Sequence, residues 1–173
     1  TTVGGKIAPP ISPARIIRIV ERAAADDGIR MKAIFLDYLQ LLGADGREAS
    51  DRTKFEAVTA ASNGAKRLAS TFQCPVFLAV QASREVDGRK LKIPTMADMQ
   101  FASAIEQDAD TILGLWRPYI DHASEVAAGT AKPLTIAGRD VAITQRLMVL
   151  KCIKARNDPS AGRTYGLYAD PVA

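Results

Sequence analysis

Polar residues follow two apolar runs of this chain, at positions where an α/β protein could handle phosphate. Asp37 comes directly after AIFL, and Gln81 ends the run PVFLAVQ. A carboxylate at a strand end can order the water shell of Mg²⁺, and a neutral amide can contact both a phosphate and a loop. On pattern alone, an aspartate that caps a helix or pairs with arginine is an equal interpretation. For Gln81, a side chain that only satisfies backbone groups at the strand end is the better interpretation.

A second candidate pair is cationic. Lys154 and Arg156 stand in IKARNDPSAG, just before a turn. Residues two apart on a strand point to the same face, so these side chains are expected to lie together. An ammonium and a guanidinium together fit a phosphate group. A solvated basic strand end is the simpler alternative.

The most basic stretch carries the cations Arg84, Arg89, Lys90 and Lys92. Glu85 and Asp87 lie among them, so a solvated loop of mixed charge is as consistent as a functional one. A long basic loop can track a nucleic-acid backbone through its phosphates. Base stacking is poorly supported, because no aromatic residue follows until Phe101.

Carboxylates are concentrated in the string IEQDAD, residues 105–110. Helix capping and salt bridges that anchor a loop explain them better than a metal site. The single histidine, His122, has no partner that would make it catalytic. Cys74 and Cys152 are too few for a classical metal site, and are expected to be free thiols in a reducing compartment.

Composition excludes several classes of protein. The 173 residues include 23 Lys and Arg against 19 Asp and Glu, a formal net charge of +4, and 47% are hydrophobic. That hydrophobic content excludes a disordered chain. No apolar run approaches the ~20 residues of a membrane helix, and the first residues lack a signal-peptide pattern. We therefore expect a cytoplasmic protein with no membrane partner.

The pattern along the chain predicts alternating strands and helices. Ser12-Pro13 begins a helix that ends at Gly28, and a second helix covers 53–72. Strands are expected at 33–42, 75–81, 110–116, 146–155 and 163–169. The remainder is expected to be an irregular lead-in (1–11), a basic loop with a short helix (82–103) and an excursion (118–145). This order predicts an α/β fold with a largely parallel sheet, whose sites lie at the carboxyl ends of the strands.

A set of ordered strings resembles the carboxyl-terminal motor domain of DnaB-type replicative helicases. They are IFLDYLQLLG, KRLASTFQCPVFLAVQASREVDGR, IPTMADMQFASAIEQDADTILGLWRP and KARNDPSAG, within about residues 11–170. The resemblance implies a RecA-like P-loop NTPase core, with a mostly parallel sheet flanked by helices and truncated on its amino-terminal side. It implies that residues 1–173 form a single partial domain.

The resemblance also implies roles for the candidate residues. Asp37 resembles the Walker B aspartate, which holds Mg²⁺ through water, and Gln81 resembles the glutamine switch. Arg156 resembles the arginine finger and Lys154 its companion, both acting on ATP bound to the neighbouring subunit. Loops 43–54 and 84–104 match segments that grip single-stranded DNA. The implied DNA-binding residues are Arg84, Arg89, Lys90, Lys92 and Gln100.

Departures from the family pattern limit what this chain is expected to do alone. It has no GxxxxGK[ST] phosphate loop, and Gly4-Gly5-Lys6 lacks both the first glycine and the following hydroxyl residue. We therefore expect the 173-residue chain alone neither to bind ATP tightly nor to hydrolyse it. Gln100-Phe101-Ala102 also stands where the family often has an Arg-Glu-Ser-Gly type run.

The leading hypothesis is the carboxyl part of an ATP-driven, ring-forming DNA helicase that uses Mg²⁺. Its expected partners are single-stranded DNA, identical subunits in a ring, most simply a hexamer, and a primase or helicase loader. Its expected location is the bacterial cytoplasm, or the host cytoplasm for a phage-encoded protein. The alternative is a non-catalytic RecA-like remnant that binds protein or single-stranded DNA. A RecA-type recombinase or ATPase relative is disfavoured by IEQDAD and KARN.

Overall fold

The computed structural model describes residues 2–3, 6–7, 11–28, 30–39, 54–99 and 102–169. The chain divides into two compact units. Unit 1 comprises Thr1–Gln81 and Gln100–Asp108, and unit 2 comprises Ala82–Met99 and Ala109–Ala173. Among the described residues, no helix combines the length and apolar character needed to cross a membrane.

Unit 1 begins with two short strands and a capped helix. β1 (Thr2–Val3) and β2 (Lys6–Ile7) pair antiparallel, so the expectation of a wholly irregular lead-in was wrong. Their β-branched residues favour strands, and the Gly-Gly between them is a hairpin signal. Helix α1 (Pro13–Asp27) follows, with the Ser12 hydroxyl accepting a 3.3 Å hydrogen bond from the Arg15 backbone. Gly28 ends α1 with a φ of 65°, which confirms the predicted start and stop.

The rest of unit 1 contains a parallel strand pair and two helices. They are β3 (Ile34–Leu36), α2 (Lys54–Phe72), β4 (Val76–Leu78) and α3 (Ala102–Asp108). β3 and β4 pair parallel, as predicted, with Ile34 opposite Val76. One face packs into a core around Ile34, Leu68 and Cys74. The other exposes Phe35 (74%) and Phe77 (53%), whose rings stack with centroids 4.7 Å apart.

Unit 2 is built on antiparallel strands. β5 (Thr111–Trp116), β8 (Leu147–Ala155) and β9 (Thr164–Tyr168) form a sheet in the order β5-β8-β9. All of its pairs are antiparallel, so parallel pairing is confined, within the described residues, to β3 and β4. The prediction of a mostly parallel sheet is thus corrected for unit 2. The β8–β9 connection is too short for a parallel crossover.

The region expected as an excursion, 118–145, contains ordered elements. It holds helix α4 (Pro118–Ala127) and an antiparallel pair, β6 (Leu134–Ile136) and β7 (Arg139–Val141). This region contributes to the core of unit 2, whose buried residues are Trp116, Leu134, Ile136, Ile143, Leu147 and Val149. The region is therefore part of the packed unit.

Candidate functional site

The ends of β3 and β4 form the candidate site of unit 1. Because the two strands are parallel, their carboxyl ends meet at one edge. Asp37 and Tyr38 follow β3, while Ala79, Val80 and Gln81 follow β4, and together they line an open depression of about 330 Å³. Backbone hydrogen bonds of 2.9 Å, Leu39 to Ala79 and Ala79 to Leu36, tie the two exits together. The structure thus brings Asp37 and Gln81 to one depression.

The donors at this depression fit a metal ion that keeps much of its water. Both Asp37 and Gln81 are exposed, so a carboxylate and an amide are accessible there. Within the described part of the chain, no three or more His, Cys, Asp or Glu side chains gather into a metal cage. Mg²⁺ usually keeps several waters and takes one or two carboxylates together with substrate phosphates. Asp37 has the chemistry for that water-mediated role.

The cationic pair of unit 2 is held by one dipeptide, Ala109-Asp110, just before β5. The Lys154 ammonium donates a 2.8 Å hydrogen bond to the Ala109 carbonyl. Arg156 Nη1 lies 3.0 Å from Asp110 Oδ1, and the Arg156 backbone N–H donates to the Asp110 carbonyl at 2.9 Å. The carboxylates of IEQDAD thus include a loop anchor, as expected from the sequence.

The two cations do not meet by the mechanism predicted from strand geometry. β8 ends at Ala155, so Arg156 lies in the following turn and not on the strand. A bulge also interrupts the β5–β8 register, where Ile112 pairs with Lys154 but Leu113 pairs with Cys152. The bulge precedes both cations, and the same-face argument fails because Arg156 is not on the strand. Each cation instead contacts one residue of the Ala109-Asp110 dipeptide.

Residues 82–99, here called the basic segment, form a closed and ordered structure. They contain two 3₁₀ turns, Arg84–Gly88 and Met96–Asp98, and an antiparallel bridge joins Ala82 to Met99. The Ser83 backbone N–H also donates to the Asp98 carbonyl at 2.6 Å. The expectation of a long basic loop is corrected in one respect, because the ends of the segment pair with each other.

Asp98 is the centre of the basic segment. Asp98 is only 1% exposed, and its carboxylate accepts two hydrogen bonds from Arg89, of 2.7 and 2.6 Å. The Thr95 backbone N–H and hydroxyl each donate to it at 2.7 Å. The Arg89 guanidinium, helped by Thr95, lowers the pKa of Asp98 to about 2, although burial acts in the opposite direction. The segment is therefore closed around an ionised carboxylate.

A second ion pair attaches the basic segment to α4. Lys92 Nζ lies 2.5 Å from Asp121 Oδ1, and the Trp116 indole N–H donates to Asp121 Oδ2 at 2.8 Å. Burial acts to raise the pKa of Asp121, but the hydrogen bonds from Lys92 and Trp116 outweigh it and lower the pKa. Lys92 thus holds the segment against the sheet and helix.

These contacts divide the predicted DNA-binding residues. Arg89 and Lys92 are committed to ion pairs within unit 2. Arg84 and Lys90 are exposed, with no ion-pair partner among the residues that the structure describes. Gln100 and loop residues 43–53 lie outside the described residues. Sequence reasoning overlooked Asp98, although Thr95 and Asp98 have the spacing of a capping box.

Comparisons with known proteins agree on one family. Residues 8–159 match the family model of the DnaB-like helicase C-terminal domain. The chain is 36% identical over 118 residues to the replicative DNA helicase DnaC of Bacillus subtilis, covering 68% of this chain and 25% of that protein. The chain therefore spans about a quarter of the length of this curated relative.

Solved structures share the fold at low sequence identity. One is a DnaB-like replicative helicase described with its interactions with primase, with a TM-score of 0.67 and 22% identity, covering 91% of this chain and 32% of that one. Another is described as an ATPase domain, with the same TM-score and identity, covering 91% of this chain and 48% of that one. This likeness confirms the α/β, RecA-like fold class.

Proposed function

The chain belongs to the DnaB-like helicase C-terminal domain family, and from this premise we propose that it is the carboxyl-terminal part of a ring-forming replicative DNA helicase. The observation that carries the proposal is the depression where Asp37 and Gln81 meet at the ends of two parallel strands. The proposed enzyme hydrolyses ATP with Mg²⁺, translocates on single-stranded DNA and unwinds the duplex. We place it in the cytoplasm.

In this proposal Asp37 and Gln81 serve the nucleotide bound by their own subunit. Mg²⁺, when bound, neutralises charge that develops on the transferred phosphoryl group. Asp37 holds the water shell of that ion from the end of β3. Gln81 donates its amide toward the terminal phosphate. The 2.9 Å backbone hydrogen bonds connect the two segments that carry Asp37 and Gln81.

Arg156 and Lys154 serve the nucleotide of the neighbouring subunit. The Arg156 side chain is 45% exposed, and it lies in the turn after β8, where an adjoining molecule can reach it. A guanidinium supplied in trans stabilises transition-state charge and is worth about 10³-fold or more in rate. The proposal therefore requires identical subunits in a ring, for which we propose a hexamer.

The exposed cations of the basic segment are the proposed DNA contacts. Arg84 and Lys90 supply charge for the phosphate backbone, and Gln100 is retained as a further proposed contact. Arg89 and Lys92 act by holding the segment in place. Binding of this kind depends steeply on salt and little on sequence. A primase or a helicase loader is the proposed protein partner, in line with the relative that was solved with primase contacts.

The test is Arg156→Ala in the native polypeptide that contains this chain. We expect DNA-stimulated ATP hydrolysis to be abolished while binding of a fluorescent ATP analogue is kept. Arg163→Ala, an exposed arginine in the same β8–β9 connection, is the matched control and should keep full turnover. Full turnover by Arg156→Ala would contradict the in-trans role of Arg156, whereas no DNA-stimulated turnover by the wild-type polypeptide would favour a non-catalytic binding module.

The 173-residue chain by itself is a second test, because it contains no GxxxxGK[ST] motif. A phosphate loop supplies the backbone N–H groups and the lysine that hold the phosphates. We expect no tight ATP binding and no hydrolysis by the isolated chain in a coupled phosphate-release assay. Mg²⁺-dependent turnover that disappears in Asp37→Ala would contradict this expectation.

A further inference from the structure

Asp110 contacts Arg156 at both ends of that residue. Its carbonyl oxygen accepts from the Arg156 backbone N–H at 2.9 Å, and its carboxylate lies 3.0 Å from Nη1 at the tip of the side chain. We propose that Asp110 is a positioning residue, which orients the Arg156 guanidinium toward the phosphates of a neighbouring subunit. This inference rests on the proposed function, because it needs Arg156 to act in trans.

The geometry explains why such a residue would be needed. Arginine has many rotamers, and a long side chain in a turn spends little time in any one of them. Fixing both the backbone and the guanidinium selects one orientation before the phosphate arrives. A guanidinium has five N–H donors, so one carboxylate does not use its full capacity. Contact with Asp110 therefore does not by itself prevent Arg156 from binding a phosphate.

The exposure of this ion pair favours positioning of Arg156 by Asp110 over its permanent sequestration. The side chains of Arg156 and Asp110 are 45% and 63% exposed, so water competes for their contact. An ion pair in that setting is weak, and a phosphate can displace it or share its donors. The carbonyl of the preceding residue, Ala109, accepts a hydrogen bond from the Lys154 ammonium. One dipeptide thus presents both cations.

The experiment compares Asp110→Ala, Asp110→Asn and Asp110→Glu in the native polypeptide, with ATP turnover measured at saturating single-stranded DNA. We expect Asp110→Ala and Asp110→Asn to lower kcat about tenfold and to change the KM for ATP less than about twofold. A misplaced guanidinium slows the chemical step more than it weakens ATP binding. Asp110→Glu restores a carboxylate and should recover most of the rate. Asp140→Ala, in the β6–β7 pair of the same unit, is the matched control and should change neither parameter.

Comparison with Arg156→Ala keeps the outcomes distinct. If Arg156→Ala abolishes turnover and Asp110→Ala leaves kcat unchanged, the positioning role is overturned and the proposed function stands. If Arg156→Ala keeps full turnover, the in-trans role of Arg156 fails and the positioning role of Asp110 with it, and if the wild-type polypeptide shows no DNA-stimulated turnover, the proposed function itself fails. A rise in kcat for Asp110→Ala would also overturn positioning, because it would show that the carboxylate restrains the finger.

Discussion

Arg89 and Arg156 both face an aspartate within unit 2, but the two pairs differ in burial. Arg89 makes two bonds to Asp98, whose side chain is fully buried and also bound by Thr95. Arg156 has a 3.0 Å contact with Asp110 in a pair whose side chains are about half exposed. The first arginine is paired with a buried carboxylate, whereas the second is paired with an exposed one. Sequence alone would count both as free basic residues.

The difference teaches that burial of the partner, and not the presence of a cation, decides what a basic residue can do. A buried carboxylate must stay paired, because removing its partner leaves a charge without solvation. An exposed carboxylate exchanges its partner at little cost. The basic segment therefore uses Arg89 for structure and leaves Arg84 and Lys90 for a ligand.

The largest effect is expected for Asp98→Ala. This change removes the acceptor of Arg89 and Thr95, so we expect the free energy of unfolding to fall by ~3 kcal/mol. Urea denaturation followed by circular dichroism measures this loss. A change below about 0.5 kcal/mol, the range typical of surface sites, would show that the buried pair contributes no more to stability than the exposed pair.

The stability that Asp98 contributes should be lost in acid. The pKa of Asp98 in the folded chain is about 2, below the ordinary value of 3.8, so its stabilising contribution is complete above pH 3.8. That contribution is lost as the pH falls from 3.8 through about 2, because the unfolded chain then binds the proton first. In Asp98→Asn, urea denaturation across this pH range should show that this component of the acid dependence is missing.

An intermediate effect is expected for Gly114→Ala, which tests how closely the basic segment lies on β5. A Cβ at Gly114 would be 2.8 Å from the Pro94 carbonyl oxygen and 3.1 Å from Ile153 Cδ1, so backbone must move. We expect a loss of ~2 kcal/mol in the same denaturation experiment. Gly88→Ala is the matched control, since nothing lies within 4 Å of its added Cβ. Equal stability of the two variants would show that the segment does not press on the strand.

The smallest effect on stability is expected for Asp110→Ala. Because its ion pair with Arg156 is exposed, we expect a loss below about 0.5 kcal/mol, even though turnover should fall. Thermal melting and urea denaturation of the same preparation measure this. A loss as large as that of Asp98→Ala would remove the distinction between the two arginines and make Asp110 a structural residue.

Much of the site in unit 1 was predictable, because it depends on local pattern. Apolar runs define β3 and β4, and parallel strands end at one edge, so Asp37 and Gln81 had to lie near each other. The helix from Ser12 to Gly28 was equally clear from its cap residues. The chemical roles proposed for Asp37 and Gln81 remain predictions.

The arrangement of unit 2 was less accessible to sequence reasoning. The partner of Lys92 is 29 positions away, on a helix that the pattern placed in an excursion. The β5–β8 register contains a bulge that no periodicity reveals, and Lys154 follows it. Such pairings are selected by tertiary packing, which the sequence pattern does not reveal. The Thr95-to-Asp98 spacing was a local signal that had been overlooked.

Trp116 gives this protein an internal optical reporter. It is the chain's single tryptophan, and its indole N–H donates to Asp121, the carboxylate that also binds Lys92 of the basic segment. Its emission therefore responds to the polarity around a hydrogen bond that the segment shares. Release of the segment by a ligand or by acid is expected to shift that emission in real time, without any attached dye.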